Sequence, residues 1–356
     1  MYLAWRDLRF AGGRFSLVAG VVALITLLVA LLSGLTQGLG REATSAVTSL
    51  PADHVVFTSE DGGDPSWAAS AISAEQLSAW RRVTRGDIAP IGVTTTRMTA
   101  GDGVATVTLL GIEPGSGVVP ASGSAHPDVT ATGAVLSEGA AEALAAQAGS
   151  TVEVAGQQLR VASVGADASL SHTPVVWVPI ATWQGITHQE ASVVALRGVP
   201  ASEISRLDRA TGTTTLSRDD SVSAIDAWRS EGGSLRAMQA MLFAISALVV
   251  GAFFTVWTVQ RAGDVAVLKA IGTSTRWLLR DGLAQALILL LLGVGAGTAV
   301  AAGLGLLARD RLPFVLDLQT LAVPGVAMLL LGLVGAALPI VRVTRVDPLT
   351  ALGSAR

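Results

Sequence analysis

GLAQALILLLLGVGAGTAVAAGLGLLA, residues 282–308, contains no charged side chain, and it decides the class of this chain. A helix rising about 1.5 Å per residue needs roughly 20 apolar residues to cross the hydrocarbon layer of a bilayer. Residues 282–308 exceed that length. The stretches 15–40, 237–260 and 318–341 do so as well, again with no Asp, Glu, Lys or Arg. The chain is 51% hydrophobic and only 14% charged, a low charge content for a soluble protein of 356 residues. The first stretch follows Arg6, Arg9 and Arg14 as a secretion signal would. Its apolar run is too long for one, and no small-residue cleavage site closes it, so it reads as a retained span.

The expected fold class is therefore an α-helical membrane protein with four transmembrane helices plus an extracellular α+β domain. The expected boundaries are an amphipathic interfacial helix at 1–14, spans at 15–41, 234–260, 282–308 and 318–341, and the outer domain at 42–233. A cytoplasmic loop at 261–281, a short outer loop at 309–317 and a cytoplasmic tail at 342–356 complete the layout. For residues 1–14 an ordinary charged flank is the alternative to a helix lying in the interface. Loop charges orient the spans. Arg6, Arg9 and Arg14, then Arg261, Lys269, Arg276 and Arg280, then Arg342, Arg345 and Arg356 lie on one side, against Arg309 and Arg311 on the other. By the positive-inside rule both termini face the cytosol and the long 42–233 segment faces outward from the cell membrane.

Within that segment the pattern changes to short β-rich runs separated by Gly, Pro, Asp and Ser. Strands are expected at 54–57, 104–112, 134–136, 152–154, 159–164, 175–178 and 192–196. Helices are expected at 74–82 and 138–148, and the stretch 113–132 reads as a loop. His54, His126, His172 and His188 are scattered and read as surface or strand-end residues, and cysteine is absent. No spacing points to a metal centre or a nucleophile. The net charge of −3 gives no reason to expect nucleic acid. No GxxxxGK[ST] phosphate cradle is present, so the chain is expected to be non-catalytic, with any nucleotide hydrolysis in a separate protein.

Between the second and third spans the chain reads QRAGDVAVLKAIGTSTRWLLRDGLAQ, a short helix broken at Gly272. Val267-Leu268-Lys269-Ala270-Ile271-Gly272 resembles the coupling segment of the FtsX/MacB-type permease subunits of ABC transporters. Residues 345–352, containing Asp347-Pro348, resemble that family's tail. Residues 135–154 resemble the core of its outer domain. One span, a large outer domain and three further spans match the family's layout over nearly the whole chain, the type VII arrangement. The resemblance implies a homodimer of the permease bound to two copies of an ABC ATPase, with Val267 through Gly272 docking on that ATPase and Asp347 and Pro348 nearby. Gly293, Gly297, Ala301 and Gly305 recur every four residues on the third span. They read as a close-packing face, the alternative being that small residues are merely common here.

Within the family, the opening MYLAWRDLRFAGGRFSLV is most similar to haem-exporting permeases of Gram-positive bacteria, which implies detoxifying efflux of haem through the membrane. No tightly bound cofactor is expected, haem being the cargo. Haem presents an iron and two carboxylates at the outer leaflet. Glu42 follows the first span and Glu231 precedes the second, with Arg41, Arg229 and Arg236 beside them. Glu42 is the preferred iron ligand, with Glu231 beside it and Met238 and Met241 as further candidates; Arg41, Arg229 and Arg236 would pair with propionates. The alternatives are that Glu42 and Arg41 only mark the interface and that the methionines fill the core. Two other functions stay open: relaying ATPase motion to a cell-wall hydrolase, as division-type FtsX proteins do, or exporting another amphiphile, a lipid or a peptide.

Overall fold

The computed structural model describes residues 12–58, 63–82, 85–120, 129–260, 263, 267, 269, 271–308 and 314–344. Two compact units emerge. One comprises residues 1–38 with 233–356, and the other residues 39–232.

The first unit is built from α1 (Gly12–Thr48), α6 (Asp226–Gln260), α7 (Thr275–Ala308) and α8 (Leu318–Thr344). Each is long and apolar enough to cross a membrane. Their shared core takes Val18, Val22, Ile25 and Val29 from α1, spaced three or four apart, against Val250 and Phe254 of α6, Leu289, Leu290 and Val294 of α7, and Met328, Ala336 and Ile340 of α8. Lipid supplies no hydrophobic driving force between helices, so close backbone approach has to hold the bundle. Gly293 and Gly297 of α7 supply it, with Val22 and the Ala23 carbonyl of α1 directly over their Cα atoms. Gly335 of α8 does the same against Ala247 of α6. The small-residue face of the third span is thus used inside the chain's own helical unit.

The second unit is an α+β domain. Its elements are β1 (His54–Thr58), α2 (Ala74–Trp80), β2 (Asp87–Ala100), β3 (Gly103–Ile112), β4 (Gly133–Leu136), α3 (Glu138–Ala143), β5 (Thr151–Val154) and β6 (Gln157–Val164). They continue as β7 (Ser169–Leu170), β8 (Thr173–Pro179), α4 (Ile180–Thr187), β9 (Val193–Arg197), α5 (Ala201–Thr211) and β10 (Thr213–Ser217). The strand order β10-β1-β9-β2 is a split βαβ arrangement. Its helices α2 and α5 bury Leu77, Trp80 and Ile204 on one face, against Val56, Val194 and Leu196. From β2 the path continues through β3, β8, β4, β6 and β5 and returns to β2 where Met98 pairs with Val154, closing a small barrel-like lobe.

Side chains in this lobe alternate as strand geometry requires. Val107, Leu109, Leu136, Val176 and Val178 join Trp183 in one cluster. Leu110, Ile112, Val135, Val175 and Trp177 point to the opposite one. Trp183 of α4 is fully buried over the paired residues Gly92 and Gly111. A Cβ at Gly92 would lie 2.1 Å from its indole ring, so these two glycines make the slot that the ring fills.

The expected strands correspond to β1, β3, β4, β5, β6, β8 and β9. The helix beginning at Glu138 stops at Ala143 instead of 148, because Ala145 takes a left-handed φ of 49°. The helix beginning at Ala74 stops at Trp80, held at its start by a Ser73–Gln76 capping box. β2, β10, α4 and α5 were not expected from the sequence.

Candidate functional site

Helix α1 carries Arg41 and Glu42 into the domain, and α6 begins there with Asp226. The two helices meet where Gly40 faces Trp228. A Cβ on Gly40 would come within 2.8 Å of that indole, so the absent side chain is what allows the approach. Glu42 lies two residues beyond Gly40 and Glu231 three beyond Trp228, which brings both carboxylates to this junction.

The third member arrives from the sheet. β7 and β8 are joined by the two-residue turn Ser171-His172, both in left-handed conformation at φ 50° and 63°. Hairpins of this kind favour Asn-Gly because side chains resist positive φ. The outward-pointing amides of the turn need partners, and α1 supplies them. Ser171 N–H donates to the Ala43 carbonyl at 3.0 Å and His172 N–H to the Glu42 carbonyl at 3.2 Å. Ser45 Oγ accepts from Ser169 N–H at 2.8 Å and donates to the Ser169 carbonyl at 3.3 Å. The hairpin tip is therefore fastened to α1 along one helical turn.

This fastening inserts the His172 ring between the two glutamates. Nε2 is 3.0 Å from Glu231 Oε2, a hydrogen bond in which the ring N–H donates to the carboxylate. Nδ1 is 3.7 Å from Glu42 Oε2, beyond hydrogen-bond range. The side chains are 27%, 46% and 45% exposed for His172, Glu231 and Glu42, so a ligand can reach all three. The two carboxylates lie on opposite nitrogens of one ring and so do not converge on a point. Among the described residues no group of three His, Cys, Asp or Glu side chains is placed to hold a metal ion.

His172, read from the sequence as a surface or strand-end residue, is the site residue that sequence reasoning missed. It lies in the turn between two strands, and only tertiary folding reveals what lies beside it. Arg229 is corrected as a propionate partner: Asp64 and Asp226 already hold it at 2.8 and 2.9 Å. Its hydrogen bond to Asp226, followed by the charge of Asp64, raises its pKa further. Arg236, Met238 and Met241 belong to the helical unit. Met238 and Met241 are 51% and 66% exposed and do not fill the core of that unit.

At the other end of α6, Gly263, Val267 and Lys269 are helical. The segment closes with Ile271 N–H on the Val267 carbonyl and Gly272 at φ 97°, a left-handed helix stop. Val267 and Ile271 are 52% and 75% exposed, and the pair, four apart, shows one apolar edge. Leu268, Ala270, Asp347 and Pro348 lie outside the described residues.

Comparison with known proteins agrees with this architecture. Residues 15–208 match the MacB-like periplasmic core domain, and residues 237–348 match the FtsX-like permease C-terminal region. The chain is 24% identical to a Staphylococcus haemolyticus protein named as the hemin transport system permease HrtB, over 99% of both chains. It is 24% identical to its Staphylococcus epidermidis namesake and 26% identical to an uncharacterised ABC transporter permease of Mycobacterium tuberculosis, again over 99% of each. With spans, outer domain and both matched regions in family order, this chain belongs to the FtsX/MacB-type permeases, the membrane subunits of ABC transporters that work with an ATPase partner.

Proposed function

We propose that this chain is the permease of an efflux pump that takes haem from the outer leaflet of the cell membrane. In this reading both termini and the 263–272 segment face the cytosol. The chain acts as a homodimer on two copies of a separate ATPase, which performs all the catalysis. The apolar edge of Val267 and Ile271 docks on that ATPase, together with Leu268, Lys269, Ala270 and the tail residues Asp347 and Pro348. Helix α6 is the least enclosed of the four spans and is left to the second copy.

The observation that carries the reading is the placement of His172 between Glu42 and Glu231. Haem is substrate here. Its ferric iron is a hard acid suited to a carboxylate, and Glu42 supplies that ligand, once from each protomer. His172 fixes Glu231 through its hydrogen bond and flanks Glu42, a role of the kind that outer-shell groups play around metal ligands. Arg41 and Arg236 meet the propionates, and Met238 and Met241 line the apolar approach. The full-length relatives named for hemin transport support the same reading.

The test is spectroscopic. Haem added to the purified permease with its ATPase should give a shifted Soret band, and Glu42→Ala should abolish the shift. An unchanged spectrum and affinity in Glu42→Ala would remove Glu42 from the site, and no Soret shift in the parent protein would remove haem as cargo.

A further inference from the structure

The helical unit contains a second polar feature unconnected with the glutamates. A cavity of about 340 Å³ opens among α1, α6 and α8, with Ser33, Thr36, Gln37, Gln239 and Gln319 as its polar lining. Ser33, Thr36 and Gln37 come shortly before the outer domain in the chain and Gln239 shortly after it, which in the proposed topology puts the cavity at outer-leaflet depth. Its apolar wall is formed by Phe243, Val323, Pro324 and Ala327. No lining residue is charged.

Amides at this depth are costly unless satisfied. Gln239 is partly satisfied, its Nε2 donating to Ser33 Oγ at 2.6 Å. Its carbonyl end and the amides of the exposed Gln37 and Gln319 offer both donors and acceptors around the mouth. Pro324 adds a gap in the α8 ladder, since it has no N–H for the Thr320 carbonyl. Donors and acceptors in equal measure without a cation suit a hydroxyl-rich, uncharged head and disfavour a phosphate, which calls for Arg, Lys or clustered N–H groups. The adjoining wall of Phe243, Val323 and Ala327 suits the start of an acyl chain. Val323, 60% exposed, leaves that side open to lipid.

We infer that this cavity is a binding site for the uncharged, hydroxylated headgroup of an outer-leaflet lipid such as a glycosyl-diacylglycerol, separate from the Glu42–His172–Glu231 cluster. The site is independent of what the pump exports.

The experiment reconstitutes the permease with its ATPase in nanodiscs doped with a glucosyl-diacylglycerol carrying a photoreactive diazirine near the head. A phosphatidylglycerol with the same diazirine is the comparison, and cross-linked peptides are mapped by mass spectrometry. The neutral probe should label residues 319–327 in preference to the anionic one. Gln319→Leu and Gln239→Leu should each lower that labelling about five-fold, the effect of one hydrogen bond. Labelling at the lipid-facing Leu330 should stay constant. Val323→Trp, which fills the cavity from its exposed side, gives the same readout should Gln239→Leu fail to fold. Equal labelling by both probes, or labelling insensitive to all three substitutions, overturns the assignment. So does loss of the neutral label on adding haem, which would make the cavity part of the haem route.

Discussion

Gly297 of the third span and Ala23 of the first are in backbone contact: a Cβ built on Gly297 would lie 2.4 Å from the Ala23 carbonyl oxygen. Backbone cannot yield as a flexible side chain does, so any larger residue at this position must push the two helices apart.

Gly297→Val should therefore destabilise the helical unit by about 1–3 kcal/mol, the usual effect of overpacking. Gly295→Ala, two residues away and facing open space, should be silent. Thermal unfolding of the detergent-solubilised chain, followed by size-exclusion chromatography, compares the two. Equal melting temperatures would show that this contact does not hold the bundle.

His172→Ala should weaken haem binding by roughly 10-fold while leaving Glu42 in place, the lower end of the range for losing an outer-shell group, because the ring bonds Glu231 and only flanks Glu42. Soret titration measures it. An unchanged affinity would mean that the imidazole is a structural plug between the carboxylates and nothing more.

Ser171→Gly should stabilise the protein. A side chain in the left-handed region costs about 1–2 kcal/mol, partly offset by glycine's greater freedom when unfolded. A small rise in melting temperature with unchanged haem affinity is expected, and a fall would show that the Ser171 side chain contributes something beyond its backbone position.

Val267→Asp and Ile271→Asp should each prevent the ATPase from co-purifying without lowering the permease's own yield, because both side chains are exposed and take no part in its core. Retention of the ATPase in both variants would place its docking surface elsewhere.

The membrane helices were legible in the sequence because length and absence of charge are local properties. So were the short strands rich in Val, Ile and Leu. β2 was not, since Pro90, Gly92 and three consecutive threonines, Thr94 to Thr96, mask its alternation. Its strand state is fixed by pairing with β3 along Ile91 to Ala100 and with β9 along Asp87 to Ile91. Helix α5 was hidden behind Pro200, which caps it without a side-chain hydrogen bond. At the site, Glu42 and Glu231 were found from their nearness to span ends. His172 is 130 positions after Glu42 in the chain, and only a turn fastened to α1 reunites them.

That fourteen-residue β2 is hydrogen-bonded to the split βαβ sheet at one end and to the closing strand β5 at the other. Its continuity makes the two lobes of the outer domain inseparable property of one ribbon. A chimera that swaps either lobe has to cut through its own spine. A pull applied at the hairpin tip finds no joint within the sheet to absorb it, so both lobes should move as one piece.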